Sequence, residues 1–427
     1  MKYSVVTFGC RVNQADSLAI ENDFRARGAE NARPEQADVI VVNSCSVTCS
    51  ADQGTRQAIR RAVRVNPAAE VIVTGCYATR SPEEIRAIPG VARVVPNSDK
   101  DVLVQTAAGD RMSPRWTTAE RYDPSGEGPC GLRLVPGSAG RTAFTLRVQT
   151  GCDEPCSYCI IPSTRGAPTS RPLDAIVRDI EHACAAGYRE ITLTGVHLGA
   201  YGRDLVPRRT LEELLGAVSA TTSDVIFRLG SLEPMDCTPG VIRRLADSDK
   251  FAHSLHLPLQ HASPNVLRSM RRPYTIDEYE RLVARLRRDL PDAALGSDII
   301  VGFPGETERD FESLRAYVER SPLTYLHVFP YSDRPGTEAS KLKGRVDGAA
   351  IRERARCIRE IGRSLTDRFT NEQHGRTTRA LVLDDGTYAV TRNGLKPRLS
   401  ERRGRNEWVT INLRRAGDCL IGELACP

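Results

Sequence analysis

Three cysteines with the spacing CxxxCxxC, Cys152, Cys156 and Cys159, lie within eight residues of each other. They follow a strand-like run, Phe144–Gln149, on a turn that contains Pro155. Three thiolates this close can hold one metal centre but cannot fill four coordination positions. A [4Fe–4S] cluster needs this arrangement if one iron is to stay open for a small molecule.

Two other kinds of site use closely spaced cysteines. A structural zinc site wants a fourth Cys or His nearby, and the segment around Cys152–Cys159 offers none adjacent. A thioredoxin-type redox pair is an isolated CxxC, and the third cysteine argues against it. Both alternatives are therefore disfavoured against an iron–sulfur cluster.

A second set of cysteines, Cys10, Cys45 and Cys76, is dispersed along the N-terminal part of the chain. Each follows a short β-branched run within a few residues; the runs are Ser4–Thr7, Asp38–Val42 and Glu70–Thr74. Because loops after parallel strands emerge at one edge of a sheet, we expect these cysteines to meet as a second cluster site. Three independent buried thiols would not all need to lie at strand ends. Cys49 is a reserve ligand, one helical turn beyond Cys45.

Other loops after predicted strands of the central part carry candidate cofactor contacts. The residues are small, hydroxylic or acidic, and the glycines allow a backbone to approach a nucleoside closely. They are Gly195, Ser231, Glu233, Gly302 and Glu306.

The pattern of elements predicts an α/β protein in three parts joined by one linker. Residues 1–105 alternate strands and helices as a small parallel α/β domain, and residues 106–140 are a Pro-, Gly- and Ser-rich linker. Residues 141–373 contain six βα units, which predict a parallel sheet curved into a partial barrel. Residues 374–427 are short strand-like runs, typical of a small antiparallel β-barrel.

The charge of the chain is modest, at +6, and only six of its 60 basic residues are lysine. Arginine suits phosphate contact and base stacking, but a GC-rich genome also raises its content. A local concentration is more informative: residues 392–405 carry six basic residues against one acid, Glu401. A basic β-barrel appended to an enzyme predicts a nucleic-acid partner.

Thirteen cysteines in a chain without a signal peptide favour metal ligands over disulfides. The segment Met1–Cys10 lacks a basic n-region and a sustained apolar h-region, and no run is long enough to span a membrane. The expected location is therefore the cytoplasm.

The motifs together resemble the methylthiotransferases of the radical S-adenosylmethionine (SAM) superfamily. The similarity runs nearly end to end and includes the C-terminal TRAM domain. Matching segments are Thr7–Asn13, Val42–Thr48, Thr74–Ala78, Gly151–Pro162, Arg165-Gly166, Ser170–Pro172 and Ile300–Glu306.

The resemblance implies two [4Fe–4S] clusters and SAM as cofactors. Cys152, Cys156 and Cys159 would bind the cluster that cleaves SAM and so carry the catalysis. Cys10, Cys45 and Cys76 would bind an auxiliary cluster associated with sulfur delivery. A radical is needed because an unactivated aromatic C–H bond has neither an acidic proton nor a leaving group.

Three branches of the family differ in substrate: threonylcarbamoyladenosine in tRNA, isopentenyladenosine in tRNA, and an aspartate of a ribosomal protein. The segments Gly9–Asn13, Thr194–Gly199 and His327–Ser332 resemble the first branch. Leu257–Ser263 instead resembles the ribosomal-protein branch. The expected partners are the anticodon arm of tRNA and an electron donor such as flavodoxin or ferredoxin, with the sulfur donor unassigned. An iron–sulfur RNA-binding protein without catalytic activity is the alternative from another class.

Overall fold

The computed structural model describes residues 1–108 and 142–425. Most of the expected linker 106–140, together with Cys130 and Cys426, lies outside the described residues. No helix in the described part of the chain is long and apolar enough to cross a membrane.

Residues 1–108 form the expected parallel α/β layer, whose sheet has the strand order β2-β1-β3-β4-β5. Its strands are β1 (Lys2–Thr7), β2 (Glu30–Asn31), β3 (Val39–Ser44), β4 (Glu70–Gly75) and β5 (Val91–Val95). Its helices are α1 (Arg11–Ala26), α2 (Cys49–Val65), α3 (Cys76–Arg80), α4 (Pro82–Arg86) and α5 (Leu103–Ala108). Every residue of β3 is buried, as is typical of a central parallel strand covered on both faces.

Helix α1 begins at Arg11, directly after Cys10. The polar Asn13 in its first turn is fully buried, because its amide donates to the carbonyls of Phe8 (2.7 Å) and Ser44 (2.8 Å). These bonds fix the loop after β1 against the end of β3.

The central part forms the predicted six-stranded partial barrel, confirming the fold class. Its strands are β6 (Phe144–Arg147), β9 (Glu190–Thr194), β10 (Ile226–Leu229), β11 (Ser254–His256), β12 (Ala294–Val301) and β13 (Tyr325–Pro330). They pair in parallel as β10-β9-β6 and β11-β12-β13, and a bridge between Ser231 and His256 joins the two halves. A small ribbon, β7 (Gln149–Thr150) with β8 (Thr169–Ser170), lies beside β6.

Eight helices are described in this part, and most cover the outside of the sheet. They are α6 (Ile161–Arg165), α7 (Leu173–Ala185), α8 (Leu211–Ser219), α9 (Pro239–Ala246), α10 (Pro264–Ser269), α11 (Ile276–Asp289), α12 (Glu308–Arg320) and α13 (Gly348–Glu372). Side chains alternate along each strand. On β12, Leu295 and Ile299 lie in the main core, and on β13 Leu326 and Val328 pack against it. The residues between them therefore face the inside of the barrel.

The C-terminal sheet is antiparallel except at one edge and curls into a half-barrel. Its strands are β14 (Thr377–Val382), β15 (Ala389–Thr391), β16 (Arg398–Leu399), β17 (Trp408–Ala416) and β18 (Cys419–Leu424), in the order β15-β14-β17-β18-β16. An antiparallel bridge between Tyr388 and Arg398 brings the two edges together.

The N-terminal and central sheets are joined through a buried carboxylate, Asp16 on α1. Its oxygens lie 2.9 Å from Nζ of Lys100 and 3.0 Å from Nη1 of Arg165, and Arg147 on β6 completes the set. Burial alone would raise the pKa of Asp16, but these three cations outweigh it and lower the pKa well below its usual range.

A second carboxylate, Asp52 on α2, repeats this arrangement. It pairs with Arg80 at 2.8 Å and with Arg334, from the loop after β13, at 2.7 Å. The side chains of Asp52 and Arg334 are both nearly inaccessible to solvent. Two buried ion clusters therefore tie the N-terminal helices to the central barrel.

We expect Asp16→Ala to lower the free energy of unfolding by about 3 kcal/mol or more, because it leaves Lys100 and Arg165 buried without their counter-ion. Denaturation of the apo-protein by urea measures this loss. The matched control is Asp174→Ala, which removes an exposed pair with Arg178 (3.4 Å) and should change stability by under about 1 kcal/mol. Equal losses in the two variants would contradict a role for the buried cluster.

Candidate active site

The first candidate site lies at the carboxyl edge of the N-terminal sheet, where Cys10, Cys45 and Cys76 follow β1, β3 and β4. Cys10 is exposed, whereas Cys45 and Cys76 are buried. Burial raises the pKa of Cys45 to about 11, with further upward contributions from Cys76 and Cys10, so the three thiols lie near one another. Gly9, at φ +92°, has no room for a side chain, because a Cβ would lie 2.7 Å from Sγ of Cys45.

Arg165 connects this site to the central barrel. Its guanidinium contacts Asp16 and Asn13. Burial alone would lower the pKa of Arg165, but the charges of Asp16, Cys76 and Cys10 together raise it. Arg165 ends helix α6, six residues after Cys159. Arg165 is thus close in sequence to the Cys152–Cys159 loop and close in space to Cys10 and Cys76.

Cys49, the reserve ligand, has different surroundings. It is exposed at the start of α2, its backbone N–H donates to Ser332 (3.1 Å), and its sulfur lies 3.4 Å from the same hydroxyl. These contacts direct Cys49 to the loop after β13.

The second candidate site is the loop that carries Cys152, Cys156 and Cys159. Gln149 holds its entrance: the side-chain amide donates to the carbonyls of Thr150 and Gly151, both at 2.8 Å, and its oxygen accepts from the backbone N–H of His197 (2.9 Å). Gly151 has φ +75°, and a Cβ there would lie 1.9 Å from the carbonyl oxygen of Ala167. The loop therefore requires glycine at this position.

Arg272 supplies a cation to this loop. Its Nη1 donates to Sγ of Cys156 (3.1 Å), and its Nη2 pairs with the carboxylate of Glu233. Burial raises the pKa of Glu233, and Arg272 opposes that rise. Burial also raises the pKa of the Cys159 thiol to about 12.

A buried histidine stands beside the first cysteine of the loop. Nδ1 of His197 lies 3.9 Å from Sγ of Cys152, and its Nε2 lies 2.7 Å from Asp236. Burial opposes protonation of His197, but Asp236 and Cys152 together raise its pKa. Asp236 is held in turn by Arg203 at 3.0 Å.

The five predicted cofactor contacts fall in two groups. Gly195, Ser231 and Glu233 lie on the loops after β9 and β10, beside Gln149 and Arg272; a Cβ on Gly195 would lie 2.9 Å from Oε1 of Gln149. Ser231 is exposed.

Gly302 and Glu306 belong to the second group and are engaged within the protein. A Cβ on Gly302 would lie 2.4 Å from Ile351 of α13. The carboxylate of Glu306 accepts from the backbone N–H groups of Gly302 (2.6 Å) and Phe303 (3.2 Å) and pairs with Arg354 (2.8 Å). These two residues shape the loop after β12 by packing and hydrogen bonding.

Both cysteine sites fit an iron–sulfur cluster in donor chemistry. Each brings three free thiols, which is one ligand fewer than a closed four-ligand site needs. Each also has a neighbouring buried guanidinium, Arg165 at the first and Arg272 at the second, which offsets the negative charge of thiolate ligands.

Reasoning from the sequence did not identify Gln149, Arg272, Asp236 or the Asp16–Arg165 pair as site residues. Their partners lie up to 152 positions away in the chain, and no local spacing encodes such contacts. The one available signal was Arg165-Gly166 close after the cysteine motif.

Known protein families match two separate parts of the chain. Residues 2–96 match an uncharacterized protein family, UPF0004, and residues 146–318 match the radical SAM superfamily. The threonylcarbamoyladenosine tRNA methylthiotransferase of Bacillus subtilis is 37% identical over 86% of this chain and 81% of its own length. The ribosomal protein uS12 methylthiotransferase of Chloroflexus aurantiacus is 31% identical over 91% of this chain and 88% of its own length.

Among solved structures, a radical SAM methyltransferase of Kitasatospora setae with cobalamin and a [4Fe–4S] cluster bound has a similar fold. The TM-score is 0.56 at 15% identity, covering 79% of this chain and 76% of that one. This likeness concerns the fold alone.

The difference in burial between Cys45 and Cys49 predicts different reactivity. In the apo-protein, we expect iodoacetamide to modify exposed Cys49 at least roughly tenfold faster than buried Cys45, since reaction requires access to the sulfur. Peptide mass spectrometry localises the label on the two residues. After anaerobic cluster reconstitution, Cys45 should be fully protected while Cys49 still reacts. Protection of Cys49 with continued labelling of Cys45 would show that Cys49 is the ligand.

Proposed function

Because the chain belongs to the family of radical SAM methylthiotransferases, we propose that it adds a methylthio group to C2 of N6-threonylcarbamoyladenosine beside the anticodon of tRNA. One observation carries the proposal: two separate three-thiol sites lie at facing edges of two sheets and are connected through Arg165. A methylthio transfer needs both a radical and a held sulfur, and two sites meet that need.

We assign the two cysteine sets different tasks. When bound at Cys152, Cys156 and Cys159, a [4Fe–4S] cluster with SAM supplies a carbon radical. Cys10, Cys45 and Cys76 would hold the auxiliary cluster, which would supply the sulfur. Arg272 and Arg165 balance charge at the two sets, and Gln149 orients the loop that begins with Cys152.

The remaining candidate residues position the cofactor. Gly195, Ser231 and Glu233 are the proposed SAM contacts, since they line the loops next to the cysteine motif. Gly302 and Glu306 contribute by fixing the loop after β12 through Ile351 and Arg354.

RNA binding is assigned to the C-terminal half-barrel. Five basic side chains of one segment are exposed, and the exposed Tyr388 bridges to that segment at Arg398; they are Lys396, Arg398, Arg402, Arg403 and Arg405. Basic side chains around an aromatic ring suit phosphates and unstacked bases. Arg392 has a different part, because it pairs with Asp249 and donates to the carbonyls of Ser248 and Phe251. The electron donor is a small redox protein such as flavodoxin or ferredoxin.

One stretch, Leu257–Ser263, resembles the ribosomal-protein branch instead. In the structure His261, Ala262 and Ser263 are at most 4% exposed, and Ser263 donates to Asp310 on α12. Because these residues are buried against α12, they carry little information about the substrate, and the segments that resemble the first branch decide for RNA.

The two-cluster assignment predicts about eight irons per reconstituted chain, four at each site. Cys156→Ala should abolish formation of 5′-deoxyadenosine, whereas Cys45→Ala should leave it intact while stopping methylthio transfer. Iron analysis and chromatography of the SAM products measure these outcomes. Cys184→Ala, on the outer helix α7, is the matched control and should change neither. About four irons in the unsubstituted protein would contradict the assignment.

The substrate assignment predicts that a strain lacking this gene loses 2-methylthio-N6-threonylcarbamoyladenosine and accumulates the unmethylthiolated nucleoside. Mass spectrometry of digested tRNA measures both. Unchanged levels, together with loss of methylthio-aspartate from a ribosomal protein, would assign the chain to the other branch.

A further inference from the structure

Three polar side chains of unassigned role meet on neighbouring strands inside the barrel. They are His256 on β11, Asp298 on β12 and His327 on β13. One oxygen of Asp298 lies 2.9 Å from Nε2 of His256 and 3.2 Å from Nδ1 of His327. Burial alone would raise the pKa of Asp298, but the two histidines lower it to about 2. The carboxylate is therefore ionised and accepts a hydrogen bond from each ring.

This arrangement orients His327 toward open space. Its Nδ1–H is directed at Asp298, and the opposite nitrogen, Nε2, has no hydrogen-bond partner within the described part of the chain. The side chain of His327 is 57% exposed, although it lies on a strand whose neighbours Leu326 and Val328 pack against the core.

An exposed aromatic ring lies on the same strand face, two residues farther along. Phe329 is 38% exposed, one of the few large hydrophobic residues of the described chain that is not covered. Residues i and i+2 of a strand share a face, so Phe329 and His327 present an apolar ring and an imidazole side by side. A flat ring next to a hydrogen-bonding group suits a nucleobase that carries a polar substituent.

The pair lies between the two cysteine sites. Toward the radical site, Ile300 on the same face of β12 as Asp298 packs in a cluster with Tyr158 of the cysteine loop. Toward the auxiliary site, Arg11, the residue after Cys10, acts electrostatically on Tyr325, which lies two residues before His327. A base held here would be near both.

We propose that Phe329 stacks on the substrate adenine and that His327, oriented by Asp298, binds the carboxylate of the threonylcarbamoyl group. The assignment rests on the proposed function, and it makes His327 the residue that selects the threonylcarbamoyl substituent. A ligand carboxylate at Nε2 would place the imidazolium ring between two carboxylates, each accepting a hydrogen bond from one ring N–H. A bare divalent cation at the same three side chains would leave the exposed Phe329 ring without a role.

The test uses the full-length reconstituted enzyme and two anticodon-stem RNAs. One carries N6-threonylcarbamoyladenosine, and the other carries its methyl ester, which lacks the negative charge. His327→Phe should raise KM for the acid roughly tenfold or more and change KM for the ester little, since a charge-assisted hydrogen bond is lost only with the acid. Phe329→Ala should raise KM for both RNAs alike. Asp298→Asn, which keeps the size of the side chain, should raise KM for the acid by a smaller factor than His327→Phe.

Formation of 5′-deoxyadenosine without RNA should be unchanged in all three variants, and direct binding of each RNA by fluorescence anisotropy should follow the KM pattern. His182→Phe, at a partly buried histidine on the outer helix α7, is the control and should behave as the unsubstituted enzyme. Equal KM changes for acid and ester in His327→Phe, or no change with either, would overturn the inference. An unsubstituted enzyme that does not modify the acid RNA would instead refute the proposed function.

Discussion

A carboxylate removed from water must be surrounded by cations, and that requirement determines how the N-terminal and central sheets meet. Asp16 gathers Lys100, Arg147 and Arg165, and Asp52 gathers Arg80 and Arg334. A buried pair is expensive to break because the remaining charge stays without a partner. The two helices that begin after Cys10 and at Cys49 are thereby held against the barrel.

The same contacts set the geometry of the candidate site. Arg165 belongs to the helix that follows the CxxxCxxC motif, yet it reaches Cys76, which lies at the carboxyl edge of the other sheet. Carboxyl edges of parallel strands are where ligands bind in α/β proteins, and here two such edges face each other. The inner face of β11–β13, which carries the His256–Asp298–His327 group, is where the proposed contacts to the substrate base lie.

The sequence was informative about features that depend on a local residue pattern. It was uninformative about contacts between residues that are far apart in the chain. Strands β1, β3 and β4 were predictable from their β-branched runs. Cysteines at the ends of those strands predicted that Cys10, Cys45 and Cys76 converge. Gly302 was expected to let a nucleoside approach, but the side chain of Ile351 on α13 occupies the space beside it. The residues of the loop give no indication that this helix packs there. The His256–Asp298–His327 group likewise depends on the register of three strands, which appears only once the barrel is formed.

The anchoring of the C-terminal half-barrel limits how an RNA can be positioned. Arg392 is bound to residues 248–251, Asn393 donates to the carbonyl of Asp292, and Arg379 pairs with Asp224, so the half-barrel is attached to the central part at several separate points. A surface attached in this way cannot swing freely, and its distance from the barrel opening is constant. With RNA bound there as proposed, the fixed distance determines which nucleotide reaches the barrel opening. That nucleotide is selected by its distance along the RNA from the bound segment as well as by its chemistry.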